Sequence, residues 1–228
     1  MIPRTRRKLT WLLGVLAILA SAAAYEMLPY WLSDQEAEAT ELMQILRIGA
    51  GATVAEVGAG AGRMTVAAAR VVGPSGRVFS TELDDGRLNS IREAVEEAGL
   101  ANVTVIEAGE RETSLPEQCC DAIFMRRVYH HFGDPVSLNG SLFAALKPGG
   151  RLAVIDFVSR PWLPRPADVP NDRDGHGMPP DLLIAELSEA GFVVVERIDA
   201  WPGRNYCVIA RKPLTVENDS ASRETADP

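Results

Sequence analysis

The densest chemistry in the chain lies in Thr53-Val-Ala-Glu-Val-Gly-Ala-Gly-Ala-Gly-Arg63, where an apolar run ends in Gly58, Gly60 and Gly62. Glycines at alternate positions let the backbone bend sharply and let a ligand approach it without meeting a Cβ. The dinucleotide fingerprint G-x-G-x-x-G would need a glycine at position 63, and arginine stands there. No Gly-Lys-Ser/Thr follows, which excludes the phosphate loop. A close-approach bend without a pyrophosphate cradle suits a nucleoside ligand that lacks phosphates. Glu82 ends the next apolar run, Val78-Phe-Ser-Thr-Glu82, twenty residues beyond Gly62. A carboxylate there can accept both hydroxyls of an adenosine ribose. Its structural rival is a solvated glutamate at a strand end.

The other reactive side chains are imidazoles and thiols. His130 and His131 follow the fourth apolar run, and His176 lies in a proline-rich stretch. Imidazole titrates near neutrality and suits a general base. His131 is the candidate catalytic residue, with shaping of the pocket as its other reading; His130 is read as shaping the pocket. Tyr129 lines that pocket by its ring face or packs in the core. Asp156 points to the ligand edge of the sheet or caps the loop after it. Cys119, Cys120 and Cys207 have no metal-ligand spacing, so no metal is expected. Adjacent Cys119 and Cys120 are not expected to pair with each other.

The elements that must hold these residues alternate. Apolar runs at 53–57, 77–82, 102–107, 120–126 and 151–157 predict strands, and helical patterns fall at 34–47, 62–72, 84–98, 135–146 and 180–190. Asp134-Pro135 supplies an N-cap and an N1 proline. Such alternation makes a doubly wound α/β fold with a mostly parallel sheet. Runs at 192–199 and 205–211 are joined by a short Pro-Gly link, which requires an antiparallel pair at the C-terminal end. The expected sheet has seven strands. The stretch 158–179 carries several prolines and no regular pattern, and reads as a functional lid or a disordered connection.

A net charge of −8 in 228 residues disfavours nucleic acid as a partner. Positive charge is local, at Arg4, Arg6, Arg7 and Lys8, and is followed by sixteen uncharged residues from Leu9 to Ala24. As a helix that run rises about 24 Å, short of the roughly 30 Å hydrocarbon core. Ala20-Ser-Ala22 and Ala22-Ala-Ala24 resemble signal cleavage sites, while Tyr25, Tyr30 and Trp31 would suit an uncleaved anchor. Residues 1–32 are therefore expected to form a signal peptide or an N-terminal hydrophobic anchor helix. Residues 33–212 form the folded domain, and 213–228 a disordered tail. The chain is expected to be membrane-associated or exported, with the side of the domain left open.

Taken in order, these motifs resemble the class I S-adenosylmethionine-dependent methyltransferases of the small-molecule type. Glu56-Val-Gly-Ala-Gly-Ala-Gly62 resembles the family's first motif, and Glu82 matches its ribose-binding acid. Ile106-Glu-Ala-Gly-Glu110 sits where the family contacts adenine; Leu115-Pro to Ile123, Val128-Tyr-His-His-Phe132 and Leu146-Lys-Pro-Gly-Gly-Arg-Leu152 resemble its later segments. The resemblance covers residues 50–157, and reaches 212 by strand order. It implies a Rossmann-like sheet and S-adenosyl-L-methionine as cofactor, bound by Glu56, Gly58, Gly60, Gly62, Glu82 and Glu110. It also implies methyl transfer to a small-molecule acceptor by in-line displacement. Arg126-Arg127 depart from the pattern, because two cations beside a sulfonium site disfavour binding unless they point away. That departure, with the export-like start, motivates a second reading: a non-enzymatic exported or membrane-tethered binding module that keeps the fold. A nicotinamide-dependent dehydrogenase is disfavoured by Arg63 and by the lack of a Tyr-x-x-x-Lys pair.

Overall fold

The structure is a computed structural model and describes residues 35–167, 169–173 and 175–214. Helix α1 (Gln35–Ile45) leads into β1 (Thr53–Val57), α2 (Arg63–Val72), β2 (Arg77–Glu82), α3 (Asp85–Glu97), β3 (Val103–Glu107) and β4 (Cys120–Arg126). A 3-10 turn at Tyr129–His131 precedes α4 (Pro135–Ala145), β5 (Leu146–Asp156), α5 (Pro180–Glu189), β6 (Val193–Trp201) and β7 (Asn205–Arg211). The seven strands lie in the order β3-β2-β1-β4-β5-β7-β6. The first five run parallel, and β7 is antiparallel to both β5 and β6. The alternation read from the sequence therefore becomes the doubly wound sheet it predicts. The expected hydrophobic helix and residues 215–228 of the expected tail lie outside the described residues. Among the described residues, no helix is long and apolar enough to cross a membrane.

The central strands are covered on both faces, so their apolar residues divide by the strand period of two. Ala122 and Phe124 of β4 join Leu42 and Met43 of α1 and Met64 and Val72 of α2 in one layer. Ile123 and Met125 face the other layer, with Leu138 and Leu142 of α4 and Leu183 and Leu187 of α5. Two helix starts carry side-chain caps, the second of them expected from the sequence. Asp84 accepts from the Arg87 amide and Asp134 from the Ser137 amide, with Pro135 opening α4. Strand order reverses between β1 and β4, and the crevice at their carboxyl ends is where such sheets bind ligands.

Two expectations change. Cys119 and Cys120 are joined as a vicinal disulfide. From the sequence these neighbours are not expected to pair; Cys119 lies outside β4, which begins at Cys120 after a turn with positive φ at Gln118. Cys207 is free and buried. The stretch 158–179 is also more ordered than its composition implies. Arg160 and His176 exchange backbone hydrogen bonds, and Asn171–Arg173 forms a 3-10 turn. Arg173 is fully buried and donates to the Tyr129 carbonyl and to both Glu186 carboxylate oxygens at 3.2 Å. The Tyr129 hydroxyl also donates to Glu186. Tyr129 is thus a core residue rather than a pocket face, and the proline-rich segment is stapled to α5.

Candidate functional site

Past β1 the backbone turns through Gly58, Gly60 and Gly62, each with φ between 58 and 74°. Each is glycine for its own reason. A Cβ on Gly58 would stand 2.5 Å from Val128 after β4, and one on Gly62 would press on Ile91 of α3 at 3.2 Å from its Cα. A Cβ on Gly60 would meet nothing within 4 Å, because that face is open. Only left-handed φ and the space in front hold position 60 to glycine.

Glu82, 6 % exposed at the end of β2, reaches across to this bend. Its Oε2 accepts from the Gly60 amide and its Oε1 from the Leu83 amide, both at 2.9 Å. A carboxylate offers about four lone-pair positions, so two remain for a ligand. Arg87 approaches the same oxygen only to 3.8 Å and is largely exposed.

Glu56 lies beneath the bend and accepts from the Thr65 hydroxyl, which is in turn 2.8 Å from Ser80 Oγ. Burial pushes the Glu56 carboxyl up to about 8; Thr65 and Arg126 pull it down, and the charge of Glu82 adds to the rise. Native Glu56 therefore keeps its proton at neutral pH, whereas in the unfolded chain it ionises near 4.5. The stability this group contributes is complete below the unfolded value and is lost as pH climbs toward the folded one. The slope from this group is at most about 1.4 kcal/mol per pH unit. Glu56→Gln, neutral at any pH, should flatten that part of the profile in urea unfolding measured across the window. Equal slopes in both proteins would mean that native Glu56 is already ionised.

These groups border a cleft of about 1150 Å³ lined by Glu56, Gly58 and Gly60 on one side and by Glu110, Val128 and His131 on others. Gly62 and Glu82 stand behind this wall. The structure thus brings the candidate residues to one place from four separate loops. Glu110 is exposed on the rim after β3. His131 is exposed at the opening, and partial desolvation with two neighbouring imidazoles lowers it to about 4. So acidic an imidazole is neutral at physiological pH but a weak proton acceptor. His130 is buried, with its Nδ1 2.8 Å from Asp156 Oδ1 and its amide donating to Oδ2. Asp156 also accepts from the Phe157 amide, so it both orients His130 and caps its own loop.

The two arginines that departed from the pattern have partners. Arg126 Nε lies 2.9 Å from each carboxylate oxygen of Glu38 on α1, and Glu38 also accepts from Trp201 Nε1 at 2.7 Å. Arg127 donates to the Gly203 carbonyl and to Asn205 Oδ1, clamping the turn between β6 and β7. Both arginines line the cleft, but Arg126 comes with a buried counter-charge.

A family model described as a methyltransferase domain matches residues 48–180, which contain the glycine bend, Glu82, Glu110 and His131. The chain belongs to the class I S-adenosylmethionine-dependent methyltransferase family. S-adenosylmethionine is the cofactor of that family, and the open face of Gly60 beside the Glu82 carboxylate is the kind of site it requires. A demethylmenaquinone methyltransferase from Listeria welshimeri is 31% identical over 124 residues, 54% of this chain and 52% of that protein. A ubiquinone/menaquinone biosynthesis C-methyltransferase from Vibrio campbellii is 31% identical over 170 residues, 74% of this chain and 65% of that one. The chain thus spans about half to two thirds of the length of these relatives. The crystal structure of a SAM-dependent methyltransferase from Aquifex aeolicus superposes with a TM-score of 0.66 at 26% identity, covering 78% of this chain and 93% of that one.

Within this methyltransferase domain, sequence reasoning overlooked several residues. Glu38 and Arg173 carry no motif, and their roles come only from long-range contacts. The signal for Arg173 was faint: an arginine amid prolines, too far from Tyr129 in sequence to suggest a pair.

Proposed function

We propose that the chain transfers a methyl group from S-adenosylmethionine to a small lipophilic ring acceptor of the quinol type, by in-line displacement. The observation that carries this reading is the Glu82 carboxylate just behind the cleft wall, bonded to the amide of wall residue Gly60, with lone pairs left for two hydroxyls. When bound, the cofactor supplies an electrophilic methyl on a sulfonium whose sulfur leaves as a neutral thioether, so no acid is required. Gly58, Gly60 and Gly62 give the bend that receives it, and Glu82 takes the ribose. Glu110 and the half-exposed Leu83 flank the base, and Glu56 supports the bend from below. Catalysis then rests on alignment of the acceptor, which can supply about 7–11 kcal/mol. His131 faces the acceptor and orients it, and the proton that the acceptor loses on methylation passes to water at the open side of the cleft, where His131 is exposed.

A lipophilic acceptor is supported by the two relatives, a demethylmenaquinone methyltransferase and a ubiquinone/menaquinone biosynthesis C-methyltransferase, and by the proline-rich segment. Ala167 of that segment lines the cleft, and Val158 and Trp162 expose their side chains, Trp162 by 73%. The binding-module reading loses one of its motives, since Arg126 is paired with Glu38. Calorimetry of the full chain with S-adenosylhomocysteine, followed by transfer of labelled methyl to a detergent-dispersed quinol, tests the proposal. Saturable binding and a labelled product are expected; no heat at millimolar ligand would remove it. Membrane association through residues 9–24 belongs to the same proposal, supported by their uncharged run. Release of the chain from membranes by alkaline carbonate would argue against an anchor.

A further inference from the structure

All three histidines meet at one edge of the cleft. Ring centroids lie 4.1 Å apart for His130 and His131, 5.0 Å for His130 and His176, and 5.7 Å for His131 and His176. One ring nitrogen from each falls within 4.8 Å of the other two. No metal was expected from the sequence, a reading that rested on the spacing of the three cysteines. We propose that His130, His131 and His176 bind a divalent cation of the zinc class, with one coordination position left open toward the cleft.

The outer contacts of the rings carry the argument further than their proximity. A histidine that binds metal through one nitrogen almost always donates its other N–H to a carboxylate or a backbone carbonyl, which fixes the tautomer and the ring plane. His130 Nδ1 is held by the buried carboxylate of Asp156, and His176 Nδ1 lies 3.2 Å from the Pro164 carbonyl. With the protons on those two nitrogens, Nε2 of each ring presents a lone pair. Asp156, wholly buried, also supplies negative charge next to the site.

The loop that carries His176 is built to present it. Gly175 and Gly177 flank it with φ of 101 and 121°. A Cβ on Gly175 would stand 2.4 Å from the Arg160 carbonyl oxygen, and one on Gly177 would stand 2.9 Å from the Phe157 ring. Two glycines at those positions are what lets an otherwise stapled segment bring an imidazole against His130. Tetrahedral zinc with nitrogens at about 2.0–2.1 Å needs the three nitrogens roughly 3.4 Å apart. The cluster must therefore tighten, and exposed His131 can supply much of that movement by side-chain rotation.

Imidazole donors suit zinc, copper, nickel and iron rather than magnesium or calcium. Three protein ligands with a vacant position describe a reactive site, whereas four describe a structural one. His131 lines the cleft, so the vacancy opens onto the space assigned to the acceptor, where an oxygen donor of that molecule would complete the shell. The competing account is a stack of rings without an ion, in which His130 and His176 pack on Phe157 at 4.8 and 5.8 Å.

Titration of untagged, chelator-stripped full-length chain with Co²⁺ decides between them. Expected is saturation at one ion per chain, an intense visible band of four-coordinate cobalt, and loss of that band when Zn²⁺ is added. His131→Asn and His176→Asn should each weaken binding by more than about tenfold, since even outer partners of a metal ligand contribute about 10–100-fold. Asp156→Asn should fall within that range. His131 is exposed, so its replacement leaves the core intact, and circular dichroism verifies this. Absence of the band, or an affinity that neither histidine variant changes, overturns the site. Binding of S-adenosylhomocysteine to the same metal-free protein is read separately, so the metal site and the methyltransferase proposal can fail independently.

Discussion

Glu82→Ala is expected to weaken binding of S-adenosylhomocysteine by at least about tenfold to a hundredfold, because a charge-assisted hydrogen bond contributes about 1.5–3 kcal/mol. Two effects add. The variant removes the acceptor for the ribose hydroxyls, and it strips the Gly60 and Leu83 amides of the oxygens they now donate to. The second effect loosens the bend itself, so the loss should exceed that of a simple contact. Glu82→Gln separates the two: its single carbonyl can serve one amide, but its NH₂ cannot accept from a hydroxyl, so binding should still fall while the fold holds. Arg87→Ala serves as the comparison. Its guanidinium is mostly exposed and 3.8 Å from Glu82, a geometry in which ion pairs contribute about 1 kcal/mol or less, so its effect should stay below about fivefold. Wild-type affinity in Glu82→Ala would mean that the cleft holds its ligand some other way.

Much of this architecture was legible because it depends on local pattern. The strands were visible as apolar runs whose residues alternate between two covered faces, and Asp134 caps the helix that follows it by chemistry confined to four residues. The glycine bend was legible for the same reason: left-handed φ at Gly58, Gly60 and Gly62 is demanded where the chain doubles back over a strand end. The partnership of Glu82 with Gly60 could be guessed from spacing, since the ends of β1 and β2 are neighbours in any such sheet.

What stayed hidden depends on contacts between distant segments. Arg173 looks like a loop residue, yet it is buried against Tyr129 and Glu186. The cluster of His130 and His176 exists because the proline-rich segment folds back under that staple, and proline content by itself gives no direction of travel. Cys119 and Cys120 were misjudged for a local reason, the turn with positive φ at Gln118 just before β4, which no residue type there announces. Arg126 was the most instructive residue. Read alone it opposes a cationic cofactor, and only the distant Glu38 reverses that reading.

Glu38→Leu tests that reversal, and its effect on stability should be large. Glu38 is 2 % exposed, faces Arg126 through both oxygens and accepts from Trp201, thereby tying α1 to β4 and β6. Removing one partner of a buried ion pair costs about 3–5 kcal/mol, because a desolvated charge loses its counter-charge. At about 2–4 °C per kcal/mol for a domain of this size, the melting temperature should drop by about 10 °C. Glu38→Leu combined with Arg126→Met should recover much of that loss, since an apolar pair of similar volume often replaces a buried ion pair without penalty. The electrostatic part is read from ligands rather than from stability. S-adenosylmethionine carries a sulfonium charge that S-adenosylhomocysteine lacks, and Arg126 lines the cleft. In Glu38→Leu the affinity for S-adenosylmethionine should therefore fall more than that for S-adenosylhomocysteine, and the double variant should restore their ratio. A ratio unchanged in the single variant would show that Arg126 does not act on the sulfonium position, and that Glu38 serves the fold alone.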